Sequence, residues 1–253
     1  MDKYLHNKNI LVTGGSGGIG KAIVKYLLSH QAKVGIHFNR HASSLNAIRK
    51  KYPERVSLFQ HNLADSNRIP EFINEVVRQM GHIDVLVNNA GVAISSDLSG
   101  PDDPWIKNWK HTMDVNLTAA GILSKKVIQH FISQGREGKI INISSRAAFR
   151  GDTEDYIAYA ASKAGLVAIT RSIARAYGKR KIVAFTVAPG FVETPMARQF
   201  FDQYGKDSVL DQIALNTLTT PEDVAPFIGF LASGLADHAT GGTFDINAGS
   251  YVH

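Results

Sequence analysis

Thr13-Gly14-Gly15-Ser16-Gly17-Gly18-Ile19-Gly20 joins two segments of different period. Residues 10–13 are an apolar, β-branched run that reads as a strand. Residues 19–28 place apolar side chains three and four apart, as on one face of a helix. Gly15, Gly17 and Gly20 satisfy G-x-G-x-x-G in that strand–loop–helix setting. Glycine permits the tight turn and lets a pyrophosphate approach the backbone, while the helix start offers unpaired N–H groups and a positive dipole end. The whole stretch of Gly14, Gly15, Ser16, Gly17, Gly18, Ile19 and Gly20 is therefore expected to cradle a dinucleotide. Gly14-x-Ser16-x-Gly18 also fits the nucleophile elbow of a serine hydrolase. An elbow should follow several strands, however, and this one follows the first. The acid and histidine it requires have only the poorly placed Asp245 and His253 to supply them.

Outward from this loop the two periods alternate. Strands are expected at residues 33–38, 56–60, 83–88, 139–144, 181–187 and 243–246, and helices at 43–52, 69–80, 115–134 and 153–177. Pro53 and Gly81 stop the second and third helices. Strands so apolar, each followed by a helix, imply a sheet covered on both faces. The expectation is an α/β chain forming one domain over residues 1–253, a Rossmann-type doubly wound sheet of about seven mostly parallel strands. Two longer irregular segments, 92–104 and 188 to about 210, follow strands and are candidates for lining the ligand site.

The end of the second strand selects the cofactor. A carboxylate there would grip the adenosine ribose of NAD, but the chain reads His37-Phe38-Asn39-Arg40-His41. Asn39 and Arg40 therefore favour a 2′-phosphate and NADP(H), with NAD(H) as the alternative. Asn62 and Leu63 leave the third strand beside the adenine position. Asn89, Ala90 and Gly91 leave the fourth, where small residues would admit a cofactor.

Composition narrows the classes further. The chain has 253 residues, no cysteine, 44% hydrophobic and 20% charged residues, and a net charge of +6. Disulfides, thiolate metal sites and thiol nucleophiles are excluded. The ten histidines form no metal-ligand pattern, so no metal is expected. No apolar run approaches the roughly eighteen residues of a membrane span, and residues 1–6 lack an apolar signal core. A cytoplasmic protein is expected. Its basic residues are scattered and no stacking aromatics accompany them, so neither a nucleic acid nor a membrane is expected as partner.

The chemistry centres on Tyr159-Ala-Ala-Ser-Lys163. At i and i+4 of a helix, the phenol and the ammonium lie on one face. A phenol loses its proton near about pH 10, and a neighbouring cation lowers that value. Tyr159 is thus expected to give and take protons near neutral pH.

Together the motifs resemble the short-chain dehydrogenase/reductase family. The matching pieces are Thr13-Gly-x-x-x-Gly18-x-Gly20, Asn88-Asn-Ala-Gly91, Asn116 in Val115-Asn-Leu117, Ser145, Tyr159-x-x-x-Lys163, and Pro189-Gly190 with Thr194. The resemblance implies a catalytic tetrad of Asn116, Ser145, Tyr159 and Lys163. Ser145 would hydrogen-bond the substrate oxygen, Tyr159 would exchange its proton, Lys163 would hold the nicotinamide ribose, and Asn116 would anchor a relay water. Pro189, Gly190, Val192 and Thr194 would hold the carboxamide and diphosphate end of the cofactor. Ser144 and Ser145 are adjacent, and Ser145 is chosen as the catalytic one. Its spacing to Tyr159 is one residue longer than the family's, which places an extra residue in the polar stretch 150–155. Residues 95–104 also look a few residues long, as a substrate entrance or as an inert insertion.

Within the family, the ending Thr240-Gly-Gly-Thr-Phe-Asp-Ile-Asn-Ala-Gly-Ser-Tyr251 is similar to that of 3-oxoacyl-acyl-carrier-protein reductases. This implies a 3-oxoacyl thioester substrate and fatty acid biosynthesis, with sugar, polyol or other small-ketone dehydrogenases as the alternative. Arg136 and Arg180 would dock an acidic acyl carrier protein, or else serve only their own helix ends. A homotetramer packed through residues 115–134 and the tyrosine helix is also implied. A non-catalytic NADP-binding sensor is the remaining reading, and it would need no proton donor.

Overall fold

The computed structural model describes residues 1–40, 42–198, 205 and 210–252. Part of the segment 188–210, together with His41 and His253, lies outside them. Seven strands form one sheet: β1 (Asn9–Val12), β2 (Lys33–Phe38), β3 (Val56–Gln60), β4 (Val85–Asn88), β5 (Gly138–Ile143), β6 (Ile182–Pro189) and β7 (Thr243–Ile246). Their order is β3-β2-β1-β4-β5-β6-β7, and every neighbouring pair is parallel. The expected doubly wound α/β sheet is borne out, with parallel pairing throughout. The order reverses between β1 and β4, which opens a crevice beyond the carboxyl ends of the strands.

The strand period explains the two layers. Ile10 and Val12 of β1 enter one core and Leu11 enters the other. The first core is capped by α1 (Gly18–Ser29), α2 (Ser43–Lys51) and α7 (Pro221–Ser233). The second is capped by α3 (Ile69–Met80), α5 (Ala119–Ser133) and α6 (Ile157–Tyr177). Phe59 and Phe131 in the second core and Phe185 in the first are almost fully buried, each stabilising by about 1.5–3 kcal/mol.

Several expected boundaries move. α6 begins at Ile157, not 153, because Thr153 is extended and Glu154–Tyr156 form a 3-10 turn. Residues 102–104 are not irregular: α4 (Asp102–Met113) begins there and runs into α5 through a π-helical turn at Asp114–Thr118. Asp102 and Asp103 in its first turn mark that start, but its polar composition hid the helical period. α7 also escaped the sequence reading. Thr220 caps it reciprocally with Asp223, and Pro221 occupies its first turn, both of which are legible start signals.

Candidate active site

The crevice holds a cavity of about 500 Å3 bordered by the ends of β1, β2, β4, β5 and β6. The glycine loop forms one wall. Gly14 has φ +65°, and a Cβ there would stand 2.9 Å from the Ala90 Cα. A Cβ at Gly20 would meet the Gly14 carbonyl oxygen and come within 2.5 Å of Asn89 Nδ2. The loop and the β4 end are therefore packed backbone on backbone. A Cβ at Gly17, in contrast, would meet nothing within 4 Å among the described residues, so that face of the loop opens on the cavity. Among the described residues no side chain caps the start of α1.

Side chains from three segments hold the loop in place, and one of them, Ser44, donates to the Ser16 carbonyl at 2.7 Å. Asn89 donates from Nδ2 to the Thr13 carbonyl at 2.9 Å and to that of Gly14 at 3.3 Å. His37, at the end of β2, accepts the Gly14 N–H at Nδ1 over 3.1 Å and donates Nε2–H to the His61 carbonyl over 3.0 Å. This pairing requires one neutral tautomer. His37 is 2% exposed, and burial pushes its pKa down to about 4. Its bracing role was not read from the sequence, although it stands where a ribose-binding carboxylate was sought.

Ser145, Tyr159 and Lys163 come together on the far side of the cavity. The register of β5 turns the adjacent serines to different tasks. Ser144 donates to the Lys163 carbonyl at 2.8 Å, whereas the Ser145 hydroxyl accepts the Ala147 N–H at 3.1 Å and stands close enough to the Tyr159 phenol to lower its pKa. Lys163 is 4% exposed and donates from Nζ to the Ile143 carbonyl at 2.9 Å. Nζ lies 5.6 Å from the centre of the Tyr159 ring. Asn116 sits on the π-helical turn behind Gly91, and a Cβ on that glycine would stand 3.3 Å from both Asn116 Oδ1 and Lys163 Nζ. Its amide accepts from Val92 N–H at 2.8 Å and donates to the Val92 carbonyl at 2.9 Å and the Ser162 hydroxyl at 3.0 Å.

The expected softening of Tyr159 by Lys163 is corrected. Burial pushes the phenol up to about 12, against the smaller lowering effect of the Ser145 hydroxyl. Burial likewise brings Lys163 down to about 8. Burial dominates both groups, and the ammonium is fixed on the Ile143 carbonyl rather than on the phenol oxygen.

Nearly all the expected cofactor residues border the cavity: Gly14, Ser16 to Gly20, Asn39, Asn62, Leu63, Asn89 to Gly91, Pro189, Gly190, Val192 and Thr194. Thr194 closes against the glycine loop, 3.3 Å from where a Gly18 Cβ would be. Two expected residues do not border it. Gly15 turns inward, its missing side chain making room for Ile36 and its N–H bonded to the His37 carbonyl. Arg40 is exposed, beyond the cavity wall. Besides His37, the cavity borders His111, Arg146, Arg150 and Asp152, none of them anticipated. Among the described residues no helix is long and apolar enough to cross a membrane.

A family model for short chain dehydrogenases matches residues 8–205. The 3-oxoacyl-[acyl-carrier-protein] reductase FabG of Staphylococcus epidermidis is 34% identical over 250 residues, covering 97% of this chain and 100% of its own. Nodulation protein G of a Rhizobium species is 33% identical, with 97% of each chain covered. Among solved structures, a dehydrogenase/reductase from Sinorhizobium meliloti superposes with a TM-score of 0.89 at 28% identity, covering 100% of this chain and 99% of that one. A candidate 2-deoxy-d-gluconate 3-dehydrogenase from Agrobacterium tumefaciens, with bound NADP, gives 0.86 at 26% identity, covering 97% and 96%. With the glycine loop, the Ser145–Tyr159–Lys163 cluster and a seven-stranded parallel sheet in one architecture, the chain belongs to the short-chain dehydrogenase family of oxidoreductases, which act on alcohol and carbonyl groups.

Proposed function

We propose that the protein is an NADP-dependent carbonyl reductase. The observation that carries this reading is one cavity with an open-faced glycine loop at one end and Ser145, Tyr159 and Lys163 together at the other. The loop's open face at Gly17 and the uncapped start of α1 fit a dinucleotide pyrophosphate. The absence of a carboxylate at the end of β2, with Arg40 exposed beside Asn39, favours the 2′-phosphate of NADP, and one similar structure contains NADP. When bound, the nicotinamide supplies the hydride.

The chain's own groups then handle the oxygen. Ser145 donates a hydrogen bond to the substrate carbonyl oxygen, where negative charge develops. Tyr159, whose buried phenol holds its proton firmly, delivers that proton to the same oxygen in reduction and accepts it in alcohol oxidation. Lys163 Nζ borders the site beneath Gly91 and is placed to bind ribose hydroxyls. Asn116 holds the Val92 backbone and Ser162, which keeps the π-turn in register and supports a proton path past Lys163.

The curated relatives support 3-oxoacyl thioesters as substrates. For the carrier-protein partner, Arg136 is already paired with Asp84 at 2.8 Å, which leaves Arg180 as the freer of the two expected docking cations. A sugar or polyol substrate is the second reading, favoured by the polar cavity residues His111, Arg150 and Asp152 and by the sugar-acid name of one similar structure. Ile132 of α5 and Ile157 of α6 are exposed on the helices expected to pack in a homotetramer. The test is spectrophotometric: NADPH and NADH consumption over 3-oxoacyl thioesters, sugars and simple ketones. Tight NADPH binding without turnover of any carbonyl would instead support a sensor.

A further inference from the structure

We propose that the carbonyl compound accepted by this site carries a carboxylate, held by Arg146 immediately beside Ser145. The inference rests on the reductase reading, because it names the substrate class for that cavity. Arg146 is 4% exposed and borders the cavity. The residue follows Ser145 in sequence, and its N–H is bonded to the Pro189 carbonyl at 3.0 Å, which ties its backbone to the end of β6. Its guanidinium carbon stands 4.1 Å from the centre of the Phe191 ring, another cavity residue. Nη2 reaches Gln212 Oε1 only at 3.5 Å. Nη1 is buried and has no hydrogen-bond partner among the described residues.

A buried guanidinium without a carboxylate is costly, since its desolvation goes uncompensated. Among the described residues no carboxylate pairs with it. Arg150 opposes the charge on Arg146 and Asp152 favours it, but no ion pair among the described residues includes any of the three. Among the described residues, Arg146 and Arg150 outnumber Asp152 by one positive charge, which matches a single carboxylate. Guanidinium and carboxylate also suit each other geometrically, through paired N–H···O bonds. A 3-oxoacyl thioester has no charged group next to its reacting carbon, so the arrangement favours small oxo acids over carrier-bound chains.

The test separates binding from turnover. The NADP+-loaded enzyme, which cannot donate hydride, is titrated calorimetrically with pyruvate and pyruvamide, and with 3-oxobutanoate and 3-oxobutanamide. At least one acid is expected to bind about tenfold or more tightly than its amide, as charged hydrogen bonds allow. Arg146→Met should erase that preference and Arg146→Lys should keep part of it. Equal binding of acid and amide in both pairs, no binding of either acid up to its solubility, or an undiminished preference in a folded Arg146→Met overturns the proposal. The wild-type comparison decides even where the methionine variant does not fold. NADPH oxidation over the neutral carbonyls reports on the reductase reading separately. Turnover without acid preference sinks only the carboxylate, whereas acid preference without any turnover sinks only the reductase.

Discussion

Replacing His37 by asparagine should flatten the acid sensitivity of this protein. His37 must be neutral to accept the Gly14 N–H at Nδ1 while donating from Nε2 to His61. Burial holds its pKa at about 4, against 6.5 unperturbed. A histidine depressed in the folded state contributes stability above its unfolded value, and that stability is lost as pH falls from about 6.5 towards about 4. The full shift corresponds to about 3 kcal/mol, and acidification to about pH 5 should already remove about 2 kcal/mol. Asparagine does not titrate and can still offer an oxygen to Gly14, so its constant packing loss is the same at each pH. Burial also lowers the pKa of His61 and His130, which both proteins retain. The assay is urea unfolding of wild type and His37→Asn at about pH 7 and about pH 5. Wild type should lose about 2 kcal/mol more than the variant between the two pH values. Parallel losses would refute the claim that a neutral histidine clamps the glycine loop.

Tyr159→Phe should leave NADPH affinity nearly unchanged while lowering kcat by about 100-fold or more, measured by fluorescence titration and steady-state turnover. Lys163→Ala should damage both quantities, since Nζ sits between the Ile143 carbonyl and the Gly91 wall. Gly17→Ala should retain its Tm but lose about tenfold or more in NADPH affinity, because its Cβ enters open cavity. Gly20→Ala should lower unfolding free energy by about 1–3 kcal/mol, because its Cβ would drive into the Gly14 carbonyl. Arg40→Ala should raise the KM for NADPH about tenfold more than that for NADH, and equal changes would remove this residue from cofactor choice.

The strand–loop–helix start was legible because its signals are local: two hydrophobic periods and a run of glycines at fixed offsets. The same holds for the seven strands, whose apolar runs announce burial on both faces. Where local signals are weak, the reading slipped. α4 is polar on most of its surface, and the start of α6 is set by the turn at Glu154–Tyr156 rather than by helix propensity.

By itself, then, the chain determined its α/β class, its glycine loop and the pairing of Tyr159 with Lys163, since each depends on spacing within a few residues. The different hydrogen bonds of Ser144 and Ser145, the clamp of His37 on Gly14, the Arg136–Asp84 pair and the buried Arg146, whose Nη1 has no partner among the described residues, arise only where distant segments meet. The physical reason is that burial and pairing set the charge and proton affinity of a side chain. Tyr159 shows it plainly, since its neighbour at i+4 suggested a softer phenol and desolvation in the assembled crevice made it a firmer one.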